Sequence, residues 1–164
     1  MRRVLLWMLL LALFIPAPAE TPAPPVAVQD PDAAAEAARP ILTLIAACPS
    51  FYSFEGVPSA ALAAEVAASS PFFLEGVAPE DALRAVFACP PEKETAAPTA
   101  PSHIPTVLET ESAIDAGMGR VRVSVRAMQD FGFGLEFSFY ADFTLVLSEG
   151  APYGARVESA FIPD

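Results

Sequence analysis

His103 is the chain's only histidine, Lys93 its only lysine, and Cys48 and Cys89 its only cysteines. Acid–base or nucleophilic catalysis needs a base held by a partner in a shielded place. His103 lies between Ser102 and Ile104 in a proline-rich stretch, so a solvated side chain is expected rather than a general base. Lys93 sits in the same stretch, which removes a Ser–Lys arrangement as well. Two carboxylates suffice for glycoside hydrolysis, so the acidic clusters need weighing. Glu109 and Glu111 would share a strand face with Asp115 nearby, but they lack the ligand density and central glycine of a calcium loop. Asp30, Asp32 and Glu36 gather where a helix begins, and capping with the helix dipole accounts for them. Gly117-Met118-Gly119 and Gly132-Phe133-Gly134 are too short for a phosphate loop and read as turns. The expectation is a protein without catalytic machinery, bound metal or cofactor.

The cysteines take their meaning from the first nineteen residues. Arg2 and Arg3 precede an apolar run from Val4 to Ile15, and Ala17-Pro18-Ala19 offers the small-x-small pattern of a signal-peptidase site. Twelve apolar residues fall short of the ~20 that span a bilayer, so residues 1–19 read as a cleaved export signal rather than an anchor. In an oxidising compartment the two cysteines are expected to pair, and a Cys48–Cys89 bridge would add ~4 kcal/mol on the chain-entropy account. Their spacing fits neither a CxxC redox site nor zinc. Alanine and proline richness favours a periplasmic location over the outside medium.

Cleavage removes two basic residues, taking the formal charge from −11 to −13. Such a surface repels phosphate backbones and anionic headgroups, which argues against nucleic-acid binding and against membrane docking of the mature chain.

Positioning of these residues falls to distinct composition regimes. Residues 20–29 form a Pro/Ala tether, 30–89 an alanine-rich helical region closed by the expected bridge, 90–105 a proline-rich linker, and 106–164 a β region. Asp30 with Pro31 has the form of a helix start, and Pro40 is expected to kink or restart that helix. Segments 59–68 and 80–88 read as further helices, each preceded by a Glu-Gly-Val turn and an aromatic pair, Phe51-Tyr52 and Phe72-Phe73. They are compatible with a repeated unit.

In the β region every odd residue from Leu135 to Leu147 is apolar, the mark of a strand with one buried face. Arg120 to Ala127 alternates likewise, Ala155 to Ile162 reads as a shorter strand, and Thr106 to Ser112 as a possible edge strand. A hairpin through Gly132 and Gly134 is expected, with Arg126 opposite Glu136 and Arg120 opposite Asp142. The arginines Arg120, Arg122, Arg126 and Arg156 then read as a charge-paired, solvated face. The fold class is α+β: short helices stapled by one disulfide, then an antiparallel hairpin or meander of three to four strands. This order resembles cone-shaped α+β ligand-binding folds in architecture alone.

Phe131, Phe133, Tyr140 and Tyr153 fall in turns or on the polar strand face, where a core does not require them. Such aromatics can mark a partner surface. The sequence therefore points to an exported, non-enzymatic protein that binds an envelope protein partner. The alternative is a carrier holding a small apolar ligand between the phenylalanine-rich sheet face and the alanine-rich helices. Intact-mass spectrometry of the protein from its own cells is expected to show loss of residues 1–19, and a full-length mass would overturn the export reading.

Overall fold

The computed structural model describes residues 30–53, 55–73, 79–89 and 103–163. Residues 1–29, where an export signal and a tether are expected, lie outside them, as do the second Glu-Gly-Val segment and residues 90–102.

Helix α1 (Pro31–Ala46) starts as its residues require. Asp30 is the cap, its Oδ1 accepting from the Ala33 N–H at 3.0 Å, and Pro31 occupies the first turn, where no intrahelical donor is needed. The helix does not restart at Pro40 but runs through it. Pro40 is exposed, so the carbonyl it leaves without a donor can be met by water, while the apolar run beyond it is held down by burial. Ala35, Ala38, Ile41, Leu42, Leu44, Ile45 and Ala46 all face the core. A 3₁₀ turn (Pro49–Ser53) follows, then β1 (Glu55–Gly56), α2 (Ala60–Phe73) and α3 (Pro79–Val86). The first Glu-Gly-Val turn is thus a two-residue strand paired with β5 (Ala155–Phe161). The two alanine-rich segments do not behave as one unit. Phe51-Tyr52 lies in the 3₁₀ turn whereas Phe72-Phe73 ends a helix, and with Pro58 aligned on Pro79, Ala61 is exposed where Ala82 is buried.

The remaining strands are β2 (Thr106–Gly117), β3 (Arg120–Asp130) and β4 (Glu136–Leu147). With β5 and β1 they form an antiparallel sheet in the order β1-β5-β4-β3-β2. The α+β class and the meander agree with the sequence; the register does not. Arg126 stands opposite Tyr140 rather than Glu136, and Arg120 opposite Val146 rather than Asp142, a slip of four residues along β4. The turn is tighter than expected. Asp130 Oδ1 accepts from the Gly132 N–H at 2.7 Å, and Phe131 N–H donates to the Leu135 carbonyl at 3.0 Å, so pairing continues to Asp130–Glu136. An even slip keeps every side chain on its face, so valines still meet phenylalanines while the charge partners change. Arg120 instead grips Glu158 with two 2.8 Å bonds, which holds that carboxyl below the usual carboxylate range.

Helices cover one sheet face. Phe51 stacks on Phe143 at 5.6 Å with the rings nearly parallel, a contact worth ~1 kcal/mol beyond the area it buries. Phe87, Ile41, Leu42, Leu44 and Ile45 are also fully buried in the core between sheet and helices. The opposite face is lined by Arg122, Arg126, Tyr140 and their polar neighbours. Among the described residues no helix is long and apolar enough to cross a membrane.

The expected disulfide is not formed. Cys48 is buried just past α1, its thiol donating to the Leu44 carbonyl at 3.3 Å, whereas Cys89 is exposed just past α3. Burial, and then the neighbouring Glu65 carboxylate, push the Cys48 thiol up to about 12, which keeps it protonated and unreactive. A thiol reagent such as Ellman's is therefore expected to modify one cysteine in the folded protein and the second only after unfolding. Absence of any reactive thiol would restore the bridge.

Candidate functional site

Two assemblies bring chemistry-bearing residues together, one polar and one apolar. The polar one centres on α2. Glu65 accepts from the Ser50 N–H at 3.1 Å and from the Ser50 hydroxyl at 2.7 Å, satisfying the start of the 3₁₀ turn. One helical turn on, the Ser69 hydroxyl donates to the Glu65 carbonyl at 2.8 Å and meets Nε2 of His103. His103 is thus half-buried rather than solvated, and residues 103–105 belong to the folded body. Ile104 N–H donates to the Ala47 carbonyl at 3.2 Å, and Asp130 N–H to that of Pro105 at 3.1 Å.

Serine, histidine and glutamate in one place are the ingredients of a hydrolytic triad. Their arrangement here serves another end. Ser69 is wholly buried, its one proton goes to a backbone carbonyl, and both Glu65 oxygens are engaged by Ser50. With that proton committed, His103 donates from Nε2, which the Nε2–H tautomer and the imidazolium can both do. Burial pushes the His103 pKa below its ordinary 6.5, against the pull of Glu65 in the other direction. The cluster is a clasp that fastens the entry to β2 onto α2.

The apolar assembly lies at the end of the sheet where α1 stops. The Gln129 amide donates from Nε2 to the Ala46 carbonyl at 2.9 Å, capping the helix on the rung that pairs Gln129 with Phe137. Beyond that rung the helical layer is replaced by the 3₁₀ turn and the residues entering β2. Pro49, Tyr52, Ile104, Phe131, Leu135, Glu136 and Phe137 line an open groove of about 690 Å³ there. Leu135 is 65% and Phe137 52% exposed although both continue the core-facing alternation of β4. Phe137 and Tyr52 each lie against Phe139, at 6.0 and 5.3 Å between ring centres, so the groove is continuous with the core.

The four aromatics named from sequence do not converge. Phe131 lines the groove, and Phe133 stands fully exposed at the turn tip beside it. Phe133 has φ +55° between Gly132 at +80° and Gly134 at +75°. A left-handed conformation is natural for glycine and strained for phenylalanine. Tyr140 is on the opposite face beside Arg126, and Tyr153 is half-buried in the turn at the far end of β4. Sequence reasoning misses Pro49, Tyr52, Ile104, Leu135 and Phe137 as groove residues, because alternation assigns Leu135 and Phe137 to a buried face. The length of the period-two run, beside short helical segments, is the signal that could have exposed them.

The carboxylates are dispersed. Glu109 faces Arg126 across the β2–β3 ladder, Glu111 sits in a bulge, and Asp115 Oδ1 accepts from the Gly117 N–H at 2.7 Å. Among the described residues no three histidine, cysteine or acidic side chains gather as a metal ion would need. No family model matches the chain, and neither a curated protein nor a solved structure matches it.

The clasp has a pH signature. The unfolded chain takes a proton on His103 as pH falls through 6.5, whereas the folded chain resists until lower pH, so stability is present above 6.5 and lost below it. Melting curves between pH 7.5 and 5 are expected to slope less for His103→Gln than for the parent. Parallel slopes would remove the clasp.

Proposed function

We propose that the chain is an exported, non-enzymatic binding protein that engages an envelope protein partner through the uncovered end of its sheet. The observation carrying this reading is the groove beside the β3–β4 turn, whose lining is apolar except for Glu136. Phe131, Leu135 and Phe137 keep half or more of their surface in water. Completing the burial of one such side chain is worth about 1 kcal/mol, so a partner seated on all of them gains appreciably. Phe133 adds to this support. A fully exposed aromatic held in a strained conformation lowers the stability of the free protein and supplies a rigid contact for a bound one.

A carrier role is the second reading, favoured by the size of the groove, which falls in the range of small-ligand sites. In that case the ligand lies at the edge of the core rather than between the layers.

Benzoylphenylalanine placed at position 131 and irradiated in the producing cells is expected to give one discrete protein adduct. Leu135→Asp should abolish it while the melting temperature holds, and Phe133→Asn should abolish it while raising stability by ~1 kcal/mol as the strain is relieved. An adduct unaffected by both changes, or none at all, would overturn the partner reading. Native mass spectrometry showing a retained apolar small molecule would select the carrier.

A further inference from the structure

The groove ends in an electrostatic mismatch. Asp130 and Glu136 are direct cross-strand partners, the last pair of the β3–β4 ladder, and both side chains are exposed. Like charges facing each other across a ladder repel. Among the described residues neither has an ion-pair partner, the two salt bridges being Arg39–Glu36 and Arg120–Glu158. Arg126, four residues or ~13 Å away along β3, is the one cation lining the same depression as the pair, and it faces Glu109 across the β2–β3 ladder. Glu136 and Phe137 line the apolar groove and also a second depression of about 740 Å³ on the other side of the strand, which includes Asp130. Glu136 therefore borders both concavities, while Asp130 beside it opens onto the second.

Resting on the binding reading above, we propose that the groove takes a partner segment in which apolar side chains are followed by a lysine or arginine. The apolar residues seat against Phe131, Leu135 and Phe137, and the cation bridges Asp130 and Glu136. Charge complementarity selects this occupant over a second copy of the same chain. A copy would add two more carboxylates to an interface already short of positive charge, on a protein of formal net charge −11.

Two fluorescent twelve-residue peptides with identical leucine positions, one flanked by lysines and one by glutamates, test the assignment by anisotropy titration against the full chain. The lysine peptide is expected to bind at least ~10-fold more tightly, with the difference shrinking in 0.5 M salt. In the Asp130→Asn/Glu136→Gln double variant the preference is expected to fall to ~2-fold or less. The amide side chain introduced by Asp130→Asn keeps an acceptor for the Gly132 N–H, so the turn survives. A preference unchanged in the double variant would reflect overall charge and overturn the proposal. Equal binding of both peptides would overturn it while leaving the apolar groove as the site. Binding of neither would overturn both readings. Dimerisation abolished by Leu135→Asp, with no peptide binding, would give the groove to a second copy and overturn the cationic partner.

Discussion

Sheet and helices in this protein are not the same length, and much else follows from that mismatch. A strand of twelve residues such as β4 extends ~40 Å, while a helix of sixteen such as α1 extends ~24 Å. Whatever their crossing angle, one helix cannot cover the core face of such a strand. The position of the uncovered part is set by polar bonds rather than by apolar contact. Gln129 caps the Ala46 carbonyl and Ile104 caps that of Ala47, so the last carbonyls of α1 are satisfied at one chosen rung of the sheet. Sliding the helix along the sheet would break these bonds in a buried setting, where an unmet carbonyl costs ~1–3 kcal/mol. The overhang at the β3–β4 turn is therefore built in.

Residues that look reactive in isolation are spent on fastening. Glu65 closes the 3₁₀ turn through Ser50 and, by its charge, helps keep the Cys48 thiol protonated. Ser69 and His103 tie the chain to α2 as it enters the sheet. Each of these groups would be costly to bury alone and is tolerated because it is bonded. The stabilisation assigned to a disulfide is thus replaced by a set of hydrogen bonds between the same helical region and the first residues of the β region.

The two long edges of the sheet are treated differently. At β2 the register shifts between Thr110 and Ser112 and again between Asp115 and Gly117, and Glu109, Glu111 and Asp115 are exposed along it. Bulges and charges of this kind discourage another strand from pairing. Beyond β5 the two residues of β1 occupy the opposite edge. The end of the β3–β4 hairpin has no such protection. It combines exposed aromatics, a strained tip and a like-charged cross-strand pair, features that lower the stability of the isolated protein.

Much of the fold was legible from local signals: the capped start of α1, the alternation of β3 and β4, the turn glycines and the α-then-β order. These depend on backbone chemistry within a few residues or on a period that any core-facing strand must show. The same signals could not determine the register, because a slip of four leaves the apolar pattern intact. They could not locate His103, whose burial comes from Ser69, 34 residues away in sequence. Alternation marks Leu135 and Phe137 as apolar-facing, and so they are. That the described residues leave half or more of each exposed was decided only in three dimensions, where α1 stops at the rung that pairs Gln129 with Phe137, its Ala46 carbonyl met by the Gln129 amide.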